Sequence, residues 1–250
     1  MTIYEQLDAN KAAIDRIRPF EGKYLRQLRE YYRIGLTWTS NAIEGNSLTE
    51  METKILLEDG LTVGGKPLRD TLEAVGHSLA YDYMFDLLGD RRITVKDIQA
   101  LHHLFFKSID DAYAGVWRDI NIIVTGTDYE FPSHDELEGL MYEFVKWIAD
   151  ERNGMHSVRF AAMLHLKFVT IHPYIDGNGR VARLLMNAAL IQDGYMLAIV
   201  PPILRHDYMD AIRDYQLRGN AEPFCDFITE RVLESEKEIM RLLKISPIKA

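Results

Sequence analysis

The chain is short of several things that would narrow its function at once. It has one cysteine, Cys225, in 250 residues. No intrachain disulfide can form, and the composition suits a reducing compartment. There is no basic run, and the formal net charge is −9, so neither a nucleic acid nor an anionic membrane is an expected partner. Met1 to Asp15 alternates charged and apolar residues and has no apolar signal core. The most apolar stretch, Leu184 to Leu204, is interrupted by Asn187, Gln192, Asp193 and Pro201-Pro202. It reads as a core helix and its exit, not as a membrane span. Repeats, low-complexity segments and long flexible linkers are missing too. The expectation is a cytoplasmic protein.

What is present points to helices. Hydrophobic residues make up 47% and charged residues 27%, enough for one domain, or one domain with a small helical extension. Three capping boxes mark helix starts: Thr49 with Glu52, Thr94 with Asp97, and Ser133 with Glu136. Gly60, Gly154 and Gly194 stand where helices would stop. A turn at Gly64-Gly65-Lys66-Pro67 is the candidate boundary, with a helical pattern resuming from Leu68 to Leu88. The division expected is a helical region over 1–65 and a core over 66–250. One segment breaks the helical rule. Asn121 to Val124 is rich in β-branched residues, Thr125-Gly126-Thr127 reads as a turn, and Tyr129 to Phe131 is aromatic. That pattern predicts a β-hairpin. A lone hairpin is marginal in water, so it is expected to lie over the chemical site.

That site is His172-Pro173-Tyr174-Ile175-Asp176-Gly177-Asn178-Gly179-Arg180, with Arg183 following. Apolar helices are expected on both sides, so the stretch is a tight loop feeding a helix N-terminus. Gly177 and Gly179 allow a sharp turn and close approach of a ligand. The freed N–H groups and the helix dipole make a seat for phosphate oxygens. Arg180 and Arg183 share one helical face and can grip successive phosphates. Asp176 offers the hard oxygen that Mg²⁺ uses beside nucleotides. His172 can take a proton from an incoming hydroxyl. Each part alone has a bland reading: a turn, a solvated arginine face, a core histidine. Together, within a dozen residues, they describe phosphoryl or nucleotidyl transfer.

At these residues the chain resembles the Fic family, whose core motif is HPFx[D/E]GN[G/K]R, usually with a second Arg three residues later. It stands here as HPYIDGNGR with Arg183 following, and Tyr174 replaces the usual Phe. The likeness runs from about Arg33 to Phe227 and includes Leu184-Leu185-Met186-Asn187 and Pro223-Phe224. The resemblance implies an all-α Fic-fold bundle around the two motif-flanking helices, with the hairpin as a small flap that positions a target by strand addition. It implies His172 as base, Asp176 on Mg²⁺, and Gly177, Asn178 and Gly179 around the phosphates. Arg180 and Arg183 would hold the β- and γ-phosphates. Tyr208 and Gln216 match, loosely, positions that line the adenine pocket. The Doc branch of the family has Lys where Gly179 stands and transfers phosphate. Gly179 therefore looks like the adenylylating branch.

A second element lies upstream at Ser40-Asn41-Ala42-Ile43-Glu44-Gly45-Asn46. Ser40 and Glu44 share a face near a helix end that Gly45 terminates. The pattern resembles the family's inhibitory helix, placed here at about 33–46. The resemblance implies that Glu44 pairs with Arg183 and takes the place of the γ-phosphate. The activity expected is transfer of AMP from MgATP to a Ser, Thr or Tyr hydroxyl of a protein, the chain itself included, with Glu44 as inhibitor. Alternatives are removal of AMP or a bifunctional enzyme, transfer of UMP or phosphocholine, and a non-catalytic nucleotide-binding regulator. A homodimer is left open. His102-His103 lacks the spacing of a helical metal site and reads as structural, as does His165. Glu234 to Glu238 reads as a solvated helix face.

Overall fold

The structure, a computed structural model, describes residues 1–18, 22–89 and 91–246. Ten α-helices form the described part: α1 (Ile3–Asp15), α2 (Gly22–Ile43), α3 (Glu50–Asp59), α4 (Leu68–Asp86), α5 (Val95–Phe106), α6 (Leu137–Glu151), α7 (Ser157–Ile171), α8 (Asn178–Gln192), α9 (Arg205–Arg218) and α10 (Glu222–Leu242). The three expected capping boxes start α3, α5 and the short turn before α6. A fourth, Thr2 with Glu5, starts α1 and was not read from the sequence.

α8 is apolar nearly all round, with Val181, Leu184, Leu185, Met186 and Leu190 all fully buried. A helix of that kind must sit at the centre, and α4, α5 and α7 pack around it. Its polar residues Arg180, Arg183 and Asn187 are buried as well. Asn187 uses its amide to accept from Ala198 N–H and to donate to Ala198 O, which pins the chain leaving α8 back onto it. The apolar core runs without a break from Leu7 on α1 to Met240 on α10. α2 lies against α4 and α8, and α1 and α2 share that core, while Leu56 of α3 packs with Leu48 and Ala74 in a smaller separate cluster.

Two segments differ from the sequence expectation. Glu234 to Glu238 is not simply a solvated face, because Ser235 and Glu236 are buried. α10 packs on α1, and Glu236 falls on the stripe that also buries Val232 and Met240. The β-hairpin is also absent: no strand occurs among the described residues. The turn at Thr125-Gly126 is there, and exposure alternates along Asn121 to Val124 as in an extended chain. The two arms are tied separately to the body of the protein. Arg118 donates to Ile120 O and Pro132 O, the Asn121 amide oxygen accepts from His134 N–H, and Arg213 donates to Gly126 O. A two-stranded ladder would add little to those anchors.

Candidate active site

α7 ends at Ile171, and His172 caps it in a left-handed conformation, φ 53° and ψ 58°. A non-glycine residue in that region is held there by its surroundings. Pro173 disfavours further helix, while the His172 N–H still reaches Phe168 O at 3.0 Å. From outside, Arg118 grips the same turn: its backbone N–H donates to Pro173 O at 2.9 Å and its Nε to His172 O at 3.0 Å. His172 Nδ1 lies 3.3 Å from Val169 O. That bond assigns the proton to Nδ1 and leaves the Nε2 lone pair free. Burial holds the ring's pKa down to about 4, against the raising effect of Val169 O. The imidazole is neutral near physiological pH.

The loop after it is closed by Asn178, which accepts from Tyr174 N–H at 2.9 Å and donates to Tyr174 O at 2.8 Å. Tyr174 is fully buried, and its hydroxyl donates to Ile98 O at 3.1 Å. The extra oxygen relative to Phe is thus satisfied. Its ring stacks on His102 at 3.5 Å. His102 Nδ1 accepts from Gly115 N–H at 2.8 Å, so Nε2 donates to Asp176 O at 3.0 Å. The histidine read as structural from the sequence is structural, and what it holds is the motif loop. Gly177 has φ 80°, and a side chain there would run into the Phe105 ring. Directly after it, α8 begins and presents unpaired N–H groups.

Asp176 accepts from Gly177 N–H at 2.5 Å and Arg180 Nη2 at 3.2 Å on one oxygen, and from Arg69 Nη2 at 2.5 Å on the other. Arg180 is buried, lies 4.5 Å over the Phe105 ring, and pairs with Glu73 at 3.2 Å. Glu73 also accepts from Arg69 Nε and from Asn46 Nδ2, each at 3.0 Å. No group of three or more metal-ligating side chains converges among the described residues. Mg²⁺ at nucleotide sites is usually held by one or two carboxylates, with phosphates and water completing the shell. Asp176, 40% exposed beside the anion seat, fits an ion that arrives with a nucleotide.

Arg183 is 2% exposed and uses four of its five donors. Nε donates to Ser40 Oγ at 2.9 Å, Nη2 to Ser40 O and Glu44 Oε1 at 2.8 Å each, and Nη1 to the Tyr208 hydroxyl at 3.0 Å. α2 starts well before the expected residue 33 and stops at Ile43, so Glu44 stands in the turn just beyond it. Burial raises the Glu44 pKa, but the charges of Arg183 and Arg180 outweigh that and hold it below the usual carboxylate value. Its carboxylate lies against Gly179, where any side chain would collide with it.

His172, Gly179, Arg183 and Glu44 line one cavity. Val124 to Thr127 of the extended loop form one wall, and Met209, Ile212, Arg213 and Gln216 of α9 form the other. Tyr208 lines it too, but its hydroxyl is committed to Arg183. The loop therefore does cover the site, although it is not a hairpin. Arg69, Glu73, Arg118 and His102 were not singled out as site residues from the sequence. Arg69 and Glu73 are an i,i+4 pair on α4, but the contacts that tie them to the motif, Arg69 to Asp176 and Glu73 to Arg180, join residues more than a hundred positions apart. Arg118 and His102 hold the loop through backbone carbonyls, and none of these contacts leaves a local pattern.

The sequence pattern of the Fic/DOC family matches residues 92–190, a span that includes the covering loop and the whole motif. The chain is 34% identical over 235 residues to protein adenylyltransferase Fic of Drosophila melanogaster, covering 92% of this chain and 47% of that protein. It therefore spans about half the length of the curated relatives it matches. Fic-1 from C. elegans superposes with a TM-score of 0.85 at 26% identity, over 97% of this chain and 73% of that one. A Fic domain containing signaling protein from Bacteroides thetaiotaomicron shares the fold, with a TM-score of 0.87 over 100% of both chains at 24% identity. The motif, the helix–loop–helix that presents it, and these likenesses agree: the chain belongs to the Fic/DOC family.

Proposed function

We propose that this chain transfers AMP from ATP to a Ser, Thr or Tyr hydroxyl of a protein, and that Glu44 restrains the transfer. The observation that carries the reading is one cavity lined by a neutral histidine with a free Nε2, by the start of α8, and by Arg183. His172 Nε2 takes the hydroxyl proton as the oxygen attacks the α-phosphorus. The bond from that phosphorus to the bridging oxygen breaks, and pyrophosphate leaves. The first N–H groups of α8 and Arg180 hold the phosphates, and Arg183 receives the γ-phosphate. Asp176 would hold Mg²⁺, whose charge offsets that of the triphosphate. Tyr208 and Gln216 border the nucleoside end. The loop at 121–131 is extended and has no ladder of its own, which leaves its backbone available to pair with a target segment. Residues 1–65 supply the regulation, and 66–250 supply the chemistry. The curated relatives carry the name protein adenylyltransferase.

Glu44 occupies Arg183 and lies over Gly179, so a productive triphosphate must evict it. If the productive pose is disfavoured by about 3 kcal/mol, it is populated less than about one per cent of the time. Glu44→Gly is expected to raise labelling of protein by α-labelled ATP by one to two orders of magnitude or more. Lower or unchanged labelling would mean that Ser40 to Asn46 is an ordinary helix end. A second reading is supported by one feature: the Glu44 side chain is 33% exposed and faces the same cavity as His172. From there it can orient a water for removal of AMP. In that case Glu44→Gly fails to clear a pre-labelled protein that the unmodified chain clears.

A further inference from the structure

His165 lies seven residues before His172, two turns earlier on the same face of α7. It is fully buried, its ring is stacked on Phe224 at 4.7 Å, and its Nε2 is 2.7 Å from the Tyr208 hydroxyl. That hydroxyl in turn stands 3.0 Å from Arg183 Nη1. The chemistry of the three groups fixes the direction of the chain. A guanidinium only donates, so the Tyr208 oxygen accepts from Arg183, and its own proton needs an acceptor. Nε2 of a neutral imidazole is the acceptor in reach. Nδ1 then carries the ring proton, and it has no hydrogen-bond partner. A phenyl ring would stack on Phe224 without leaving that polar atom buried and unpaired. Packing alone therefore does not account for a histidine here.

We infer that His165 is a positioning residue which, through the Tyr208 hydroxyl, aims Arg183 at the place contested by Glu44 and the γ-phosphate. Burial first, and then the charge of Arg183, hold His165 far below the usual imidazole pKa, so it stays neutral and keeps its acceptor. Without that acceptor the hydroxyl proton would turn toward a group that only donates. The inference rests on the reading that Arg183 receives the γ-phosphate, and ADP, which lacks that group, isolates the contact.

The experiment measures ATP and ADP binding by calorimetry in the Glu44→Gly background, where no carboxylate competes for Arg183. His165→Phe is expected to weaken ATP by about threefold to tenfold, the worth of one hydrogen bond, and to leave ADP nearly unchanged. His165→Gln keeps an acceptor near the Nε2 position and should restore ATP affinity. Tyr208→Phe combined with His165→Phe should be no worse than Tyr208→Phe alone, since His165 acts only through that hydroxyl. Equal weakening of ATP and ADP, or no rescue by Gln, overturns the proposal and leaves His165 as packing. Nitrogen-15 spectra of the nucleotide-free protein test the bond apart from any function. The expected tautomer is Nδ1–H, with Nε2 accepting a bond that disappears in Tyr208→Phe. An Nε2–H tautomer would refute the relay whatever ATP does.

Discussion

Arg183, carried on α8, is held by Ser40 near the end of α2, by Glu44 in the turn just beyond it, and by Tyr208 on α9. Such a side chain is already oriented before a ligand arrives, so once Glu44 leaves, little reorganisation remains. His172 is prepared in a similar way by Val169 and Arg118. His172→Ala should fold and bind nucleotide but transfer AMP about 10²- to 10⁴-fold more slowly, the usual worth of a general base. Near-normal labelling by that variant would remove His172 from the mechanism. The same ring predicts a pH dependence. A base must be unprotonated, and burial has lowered this one to about 4, so the acid limb of kcat/KM should fall below the ordinary histidine value of 6.5. A limb at or above that value would assign the titration to another group. Asp176→Ala should leave the melting temperature nearly unchanged and abolish the Mg²⁺ dependence of nucleotide binding. Retained dependence would point to a different carboxylate. The motif residues were readable in the sequence because their chemistry is compressed into a dozen positions. Glu73 and Arg118 were not, because the local Arg69–Glu73 pair looks like any exposed helix pair and nothing in sequence announces that Glu73 reaches Arg180 or Arg118 reaches His172.

The helices were largely readable, since capping boxes and terminal glycines are local signals that tertiary packing had no reason to override. The covering loop was not. Its β-branched and aromatic residues suggested paired strands, whereas a small number of long-range side-chain anchors decided its path instead. Arg118 is the main anchor. It is 2% exposed and donates to the carbonyls of His172, Ile120 and Pro132. Arg118→Ala leaves three carbonyls short of a partner, a change that costs about 1–3 kcal/mol for each group that water cannot reach. Hydrogen exchange over 119–133 should quicken and AMP transfer should fall, while exchange in α8 stays slow. If α8 loosens equally, Arg118 supports the whole fold and not the loop in particular.

Three buried histidines, His77, His102 and His165, and the half-buried His172 at the cavity all have pKa values lowered chiefly by desolvation. Each takes up a proton on unfolding that it does not hold when folded. Their contribution is complete above the ordinary value of 6.5 and is lost as pH falls toward about 4 for His102 and His172, and about 3 for His77. The slope is up to about 1.4 kcal/mol per pH unit for each ring. Glu236 has the opposite sign. Burial raises it to about 8, so its stabilising effect is present below 4.5 and is lost as pH rises through 8. Melting temperature should therefore peak near neutrality, with a steep acid side and a shallower alkaline one. Glu236→Gln should flatten the alkaline side, and a slope unchanged in that variant would place its origin elsewhere. None of this could be read from spacing, because it depends on which polar groups the helices close over.

Gly179 has a consequence for how such a protein can change over time. The Glu44 carboxylate occupies the space that a side chain at 179 would need. On the proposed function, a side chain at 179 makes the Glu44 carboxylate shift and crowds the place of the α-phosphate in the same step. On the same reading, a lineage moving toward a lysine here would have to rearrange Glu44 as the chemistry changed. If Glu44 restrains transfer as proposed, regulation and reaction type are thus coupled at this one position.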